Sequence, residues 1–149
     1  MKPYESGTNH LRNAFLITVA IIAGAFFAKL GWDEYQQNRA AKHVPDVKVI
    51  FNQIRQMPDA VADGEYDENS ISVNEYAVAK WRSYKSNMKC SEIRTHFDSE
   101  ASRQSFVFDD EWESYSGPSV EYRNGEFGLR VLCKSDGYSF SVNWSGLDR

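Results

Sequence analysis

An uncharged apolar segment near the N-terminus constrains this chain more than any other feature of its sequence. The run from Ala14 to Ala28 carries no charge, and after Lys29 the apolar character continues to Trp32. As a helix, Ala14–Trp32 would be about 28 Å long, close to the ~30 Å hydrocarbon core of a bilayer. Its Phe, Leu, Ile and Val side chains together favour insertion by about 2.5–5 kcal/mol. The segment is therefore predicted to be a single transmembrane anchor in contact with membrane lipid.

The end of this segment has residues that suit the membrane interface. Lys29 is near the end of the run, where its long side chain can reach the polar headgroups. Trp32 and Tyr35 follow within two helical turns, and such amphipathic rings are enriched at both membrane surfaces. We predict that Lys29, Trp32 and Tyr35 lie at the interface.

Two other interpretations of the segment stay open. It could be a buried helix of a soluble protein, or a cleaved signal peptide in which Lys2 and Arg12 form the basic region and residues 23–25 the cleavage site. Against cleavage, the apolar stretch continues beyond Ala25 as far as Trp32. An uncleaved anchor is the favoured interpretation, and a signal peptide would also export the rest of the chain.

The two cysteines decide on which side of the membrane the rest of the chain is expected to lie. Basic residues flank the segment on both sides, so the positive-inside rule gives no clear orientation. Neither Cys90 nor Cys133 belongs to a CxxC motif or to a zinc-ligand cluster. A disulfide between them would close a loop of about 44 residues and stabilise the fold by roughly 4 kcal/mol in an oxidising compartment. We therefore predict this disulfide and a periplasmic or extracellular C-terminal domain; two buried free thiols in a cytosolic protein are the alternative.

The pattern of apolar residues and prolines predicts four segments. They are a short tail (1–13), the transmembrane anchor (14–32), a helical stalk (33–57) and an exported domain (58–149). A helix break is expected at Pro45, because the residue before a proline disfavours helical dihedrals. Apolar residues between Val47 and Met57 recur at helical spacing. That stripe is predicted to pack in the core, with a groove for a partner as the alternative.

The exported domain is predicted to have the α+β fold class. A capping box and apolar spacing predict a helix from Val73 to Met88. Alternation of apolar and polar residues predicts strands from residue 93 onwards, most clearly from Phe127 to Trp144. Asn124-Gly125 between two such runs is a strong hairpin signal. The helix should pack on an antiparallel meander of about four to five strands.

The acidic stretch 63–69 spaces oxygen ligands at alternating positions, as some calcium loops do. Glu68 and Asn74 stand where an EF-hand loop requires Gly and Glu, so the motif is incomplete. A solvated acidic loop is the simpler interpretation.

Two further groups of side chains could carry chemistry. His96, Asp98 and Glu100 alternate, so they would share one face of a strand and could hold a metal. The acidic run 109–113 could shelter paired carboxylates. An ordinary strand and a hydrophilic turn are commoner explanations, so we predict no catalytic residue, no metal ligand and no cofactor. A small enzyme that gathers His96 with Asp98 or Asp109 in a cleft is kept as an alternative.

The order of the elements resembles that of type IV pilins and pseudopilins, whose apolar N-terminal helix continues into a stalk and then an antiparallel sheet. Val19-Ala-Ile-Ile22 and Tyr35-Gln36 are similar in character to that helix. The processing pattern differs, because no Gly directly precedes the apolar run and Val19 stands where the family has Glu. The resemblance implies a structural subunit of a filament.

We therefore expect a single-pass accessory protein of the cell envelope whose exported domain mediates protein–protein interaction. Its binding residues would be exposed aromatics on the edge or the open face of the sheet. A pilin-like subunit and a small periplasmic enzyme or ligand-binding domain are the alternatives. A net charge of −4 argues against nucleic acid as a partner, and oligomerisation is left open.

Overall fold

The N-terminal part of the chain is one long helix. The computed structural model describes residues 6–63, 71–73 and 77–146, which form two units, Met1–Gln36 and Gln37–Arg149. Helix α1 (Ser6–Ala41) makes up the first unit and ends in the second. Its most apolar 18-residue window has a mean hydropathy of 2.1, and none of that window is buried. The helix is therefore long and apolar enough to span a membrane, which makes it a candidate anchor.

The apolar side chains of α1 point outwards. Phe15 exposes 67% of its surface and Phe27 exposes 71%. Burying such side chains is worth about 1.5–3 kcal/mol each, so an arrangement that leaves them in water is unfavourable. The same arrangement is suited to hydrocarbon, because each backbone group of a helix is already satisfied within the helix.

A two-residue turn, Lys42–His43, separates α1 from the next helix. Helix α2 (Val44–Gln53) begins three residues beyond Ala41, with Pro45 in its first turn, where the missing N–H costs no hydrogen bond. In the turn, His43 stacks on Trp144 with ring centroids 4.2 Å apart. A break close to Pro45 is therefore confirmed, but it lies at Lys42 and His43, and Val44 already belongs to α2.

The stripe predicted to pack in the core does so. Its buried members are Val47, Phe51, Ile54 and Met57, and only the first two belong to α2, because the chain is already extended at Ile54. Beyond the helix, the backbone N–H of Met57 donates to the hydroxyl of Tyr138 at 3.0 Å. The stripe thus attaches α2 and the segment after it to the sheet.

One antiparallel sheet with a helix inserted in its sequence completes the second unit. The strands are β1 (Val61–Ala62), β2 (Ser72–Val73), β3 (Ala77–Lys85), β4 (Val107–Ser114), β5 (Gly117–Asn124), β6 (Phe127–Lys134) and β7 (Gly137–Ser145). Their order is β1-β3-β7-β6-β5-β4, with β2 also paired to β3. Helix α3 (Cys90–Arg103) lies between β3 and β4 in sequence. The α+β class is confirmed, with seven described strands instead of four to five.

The predicted β-meander is present from β4 to β7. The hairpin between β5 and β6 pairs Asn124 with Phe127 and turns at Gly125, whose φ of +59° is the left-handed conformation that glycine adopts freely. On β6 the helix-facing Leu129, Val131 and Cys133 are buried, whereas β5 is buried on both faces from Ser119 to Tyr122. The hairpin signal of Asn124-Gly125 is thus confirmed.

Two elements were assigned to the wrong class from the sequence. The helix predicted from Val73 to Met88 is mostly strand β3, whose position next to β7 makes it an internal strand of the sheet. The strand predicted at residues 93–97 lies in helix α3, which buries Ile93, Phe97 and Ala101 along one face. Tertiary packing decides both cases, because β7 offers a full-length partner to β3 and the sheet offers an apolar face to α3.

Both α2 and α3 pack on the same face of the sheet. Phe140 of β7 lies at the centre of this contact, with its ring 4.8 Å from that of Phe51 on α2 and 5.5 Å from that of Phe97 on α3. Tyr84 of β3 stacks on Tyr138 at 5.2 Å. This aromatic layer forms the core, and it fixes which strand residues point away from the helices.

Glu100 is a buried carboxylate that should make stability depend on pH. It is 5% exposed and accepts hydrogen bonds from the backbone N–H of Arg55 at 3.0 Å and from Arg103 Nε at 3.1 Å. Burial by itself would raise the pKa of Glu100, but these bonds outweigh it and hold the pKa below its usual value of 4.5. Because the pKa of Glu100 is lower in the folded than in the unfolded state, its ionised carboxylate stabilises the folded protein above pH 4.5. This stabilisation is lost as the pH falls through the folded-state pKa.

We expect Glu100→Gln to lower the free energy of unfolding by about 1–3 kcal/mol at neutral pH and to reduce its loss in acid. Denaturant unfolding at a series of pH values measures both effects. Glu113→Gln, a change at an exposed carboxylate of β4, is the matched control. An unchanged acid sensitivity in the Glu100 variant would contradict the assignment.

Candidate functional site

The second unit has a sheet face that points away from α2 and α3. Because side chains alternate along a strand, the residues between those of the aromatic layer project to this opposite face. No described helix or strand of the second unit covers it. We call it the open face; its residues include Trp81 and Ser83 on β3, Ser139 and Ser141 on β7, Arg130, Leu132 and Lys134 on β6, Ser119, Glu121 and Arg123 on β5, and Trp112 on β4.

A groove crosses the strands of the open face. Its volume is about 250 Å³, and we call it the Trp81–Trp112 groove. The residues that line it are Trp81, Trp112, Ser114, Ser119, Arg130, Leu132, Ser139, Phe140 and Ser141. Trp81 is 64% exposed, which is unusual for so large an apolar side chain on a soluble surface. The groove thus combines indole rings with serine hydroxyls and one guanidinium group.

Glu121 holds Arg130 in place, which is the only charged residue among the described residues that line the groove. Its carboxylate is 6% exposed and accepts hydrogen bonds from Arg130 Nη2 at 3.1 Å and from Arg123 Nη2 at 3.0 Å. Arg130 also lies over the ring of Trp112, with its guanidinium carbon 5.0 Å from the ring centroid. Charge pairing and the cation–π contact together orient Arg130 before any ligand arrives.

Cys90 and Cys133 form a disulfide in the structure. Cys90 is the first residue of α3 and Cys133 lies on the helix-facing side of β6, with their Cα atoms 5.7 Å apart. The bond ties the start of α3 to the centre of the sheet. It also lines a cleft of about 290 Å³ under α3, together with apolar residues that include Ile93 and Val131.

Each of the residues considered for catalysis contacts a different neighbour. His96 Nε2 lies 2.8 Å from the carbonyl oxygen of Arg55, and the Asp109 carboxylate accepts from Arg123 Nε at 2.7 Å. The Asp98 carboxylate accepts a hydrogen bond from the hydroxyl of Tyr122 at 2.7 Å. Burial and this bond raise the pKa of Tyr122, so the hydroxyl stays a donor. The structure does not bring the candidate catalytic residues together.

The residues considered as ligands of a metal ion or of calcium are also spread apart where the structure describes them. His96, Asp98 and Glu100 do not share a strand face, because they lie on helix α3. Within residues 6–63, 71–73 and 77–146, no group of three or more His, Cys, Asp or Glu side chains could hold a metal ion. Most of the acidic stretch 63–69 lies outside the described residues. The acidic run 109–113 belongs to the edge strand β4, and its carboxylates there do not converge on one site.

The predicted interface residues Lys29, Trp32 and Tyr35 lie on α1. Trp32 is 57% and Tyr35 is 59% exposed, and their ring centroids are 5.9 Å apart. Their position at a membrane surface stays a prediction.

Sequence reasoning missed the residues of the groove. The spacing of apolar residues predicts Trp81 on the apolar face of a helix, and the acidic run predicts a turn at Trp112. A strand assignment at β3 would have revealed Trp81, because it alternates with Lys80 and Arg82 and so faces away from the buried Val78 and Tyr84.

Comparison of the chain with protein-family models, curated protein sequences and solved structures gives no match. The function therefore has to be inferred from the residues themselves.

Proposed function

We propose that this protein is a single-pass membrane-anchored accessory protein whose α+β domain lies on the exported side and binds another envelope protein through the open face. The observation that carries the proposal is the exposed indole of Trp81 on a sheet face left uncovered by the described parts of the second unit. Exposed apolar patches with a polar rim are typical of protein interaction sites. Tryptophan and arginine are also the residues most often found at energetic hot spots.

The anchor and the disulfide support the location. Helix α1 is apolar and exposes its Phe and Ile side chains, and none of its most apolar window is buried. Such a helix suits a lipid environment. A disulfide that joins α3 to the sheet persists in an oxidising compartment and is rare in the cytosol. Together they favour a domain carried across the membrane by the anchor.

Preorganisation supports a binding role for the open face. Arg130 is held by Glu121 and by the ring of Trp112, so little side-chain freedom is left to lose when a partner binds. The hydroxyls of Ser139 and Ser141 line the groove and can serve a ligand. A rigid aromatic and polar surface of this kind gives affinity at a low entropic cost.

The two alternatives gain little from the geometry. A pilin-like subunit would be favoured by one helix that continues from the apolar segment onto the sheet, whereas α1 ends at Ala41 and a separate helix packs on the sheet. An enzyme would need His96 gathered with Asp98 or Asp109, and each of these residues has a different neighbour.

Photo-crosslinking in intact cells tests the proposal. With a photoreactive amino acid in place of Trp81, we expect a specific protein adduct in the membrane fraction. The same amino acid in place of Val49, which is 55% exposed on α2, is the matched control and should give no such adduct. Absence of a protein adduct at position 81, or equal yields at both positions, would refute a partner-binding role of the open face.

A further inference from the structure

The cleft under α3 lies on the side of the sheet opposite to the open face, and the proposed function does not use it. We call it the α3 cleft; its volume is about 290 Å³. Its apolar lining includes the buried side chains of Ile93 on α3, Val120 on β5 and Val131 on β6. Since an apolar cavity of about 150 Å³ is enough to hold benzene, the α3 cleft has room for one small ring or branched chain.

One guanidinium group and two carboxylates also line the α3 cleft. Arg94 donates to Glu111 from Nη1 at 2.7 Å and to Asp98 from Nε at 2.9 Å, so its positive charge is already matched by two carboxylates. The other carboxylate of the cleft, Glu113, is exposed, and no basic side chain of the described residues forms an ion pair with it. Its negative charge is therefore available to a ligand.

The other charges near the α3 cleft do not reverse this balance. The cleft includes Cys90 at the start of α3, and the positive end of a helix attracts anions. Glu92 already occupies that end, because its carboxylate accepts from the backbone N–H of Lys89 at 2.8 Å, and the side-chain charges of these two residues cancel. On the other face of the sheet, Arg130 is paired with Glu121. The α3 cleft therefore keeps a net negative charge and favours a cation.

We infer that the α3 cleft binds a small apolar amine, whose single ring or branched chain lies against Ile93, Val120 and Val131 and whose ammonium group pairs with Glu113. Burial of the apolar group drives binding, and the charge-assisted hydrogen bond to Glu113 selects an amine over an acid of the same shape. This inference goes beyond the proposed function, because the cleft and the open face lie on opposite sides of the sheet.

Two small probes of opposite charge test the inference. 2-Phenylethylamine and 3-phenylpropanoate carry the same phenylethyl group, with an ammonium group in one and a carboxylate in the other. Each is titrated against the full-length protein in nanodiscs of uncharged phosphatidylcholine, and binding is followed by methyl NMR. We expect the amine to shift the methyl resonances of Ile93, Val120 and Val131 but not those of Leu132 on the open face. The acid should bind at least about tenfold more weakly.

Two substitutions on β4 separate a local charge from the overall charge of the protein. Glu113→Gln should weaken binding of the amine about fivefold, as expected for an exposed ion pair. Asp110→Asn removes the same charge from the same strand, but Asp110 pairs with Glu121 and so projects to the open face. It is the matched control and should leave the affinity unchanged. Both positions are exposed, and an unchanged melting temperature verifies that the variants fold.

Some results would overturn the inference. They are equal or tighter binding of the acid, no shift of the three cleft residues with the amine, or the same change in affinity for Glu113→Gln and Asp110→Asn. If any of these is found while the Trp81 crosslink to a protein persists, the α3 cleft does not bind amines and the proposed function stands. Binding of the amine without the crosslink would refute the proposed function alone.

Discussion

Reduction of the Cys90–Cys133 disulfide is expected to lower the free energy of unfolding of the second unit by roughly 4 kcal/mol. The two cysteines are separated by 43 positions, so the bond closes a loop that contains most of α3, the strands β4 and β5, and most of β6. Without it, the unfolded chain gains the conformational freedom of that loop. Since single domains are commonly stable by only 5–15 kcal/mol, the loss is large.

Urea unfolding of the full-length protein in detergent micelles, with and without dithiothreitol, measures this effect. The double variant Cys90→Ser, Cys133→Ser should match the reduced protein and respond no further to dithiothreitol. Alkylation of intact cells should leave both cysteines unmodified until a reductant is added. Two thiols that react at once, or a stability that is insensitive to reduction, would contradict the disulfide and with it the exported location.

Phe140→Ala is expected to lower the free energy of unfolding by about 3–5 kcal/mol, because it removes the ring at the centre of the aromatic layer. Phe140 is 2% exposed and contacts Phe51 of α2, Phe97 of α3 and Tyr84 of β3. Its loss opens a cavity between both helices and the sheet. Denaturant unfolding of the variant gives the value.

Trp81→Ala is the matched substitution of an aromatic residue on the opposite face. It should change stability by no more than about 0.5 kcal/mol, since its ring is 64% exposed, but it should severely weaken binding of the proposed envelope partner, measured by co-purification from membranes. A hot-spot tryptophan commonly costs 2 kcal/mol or more on truncation, which is about thirtyfold in affinity. Strong destabilisation of this variant would instead place the indole in the core and remove the open face as a binding surface.

The elements that the sequence predicts well are those with one strong local signal. Between Phe127 and Trp144, apolar residues alternate on either side of a turn, and the turn before them has Gly125 with a positive φ. Pro45 marks the helix break because proline is tolerated in the first turn of a helix and not in its interior, so a new helix has to begin close before it. The apolar run of α1 needs no partner to satisfy its backbone, so its helix can be inferred from composition alone.

The segments that failed lack such a local signal. From Ala77 to Lys85, the apolar residues fit both a helical spacing and the alternation of a strand. Lys80 is charged but buried, so the pattern of apolar residues does not reveal which side of this segment faces the core. Pairing with β7, which lies more than fifty residues further along the chain, decides for a strand. In α3, alternation at Ile93 and Phe97 concealed their four-residue spacing, which is what the sheet selects when the helix packs on it.

The sequence by itself determined the candidate membrane helix, the α+β class and the position of the hairpin, because each depends on transfer free energy or on the dihedral preferences of neighbouring residues. Only the tertiary structure decided the open face and its groove. Trp81 and Trp112 are far apart in the chain, and both come to line one groove with Arg130 because the order β3-β7-β6-β5-β4 fixes which strands are neighbours. That order is set by long-range pairing and by burial of the aromatic layer, neither of which a local pattern of residues can specify.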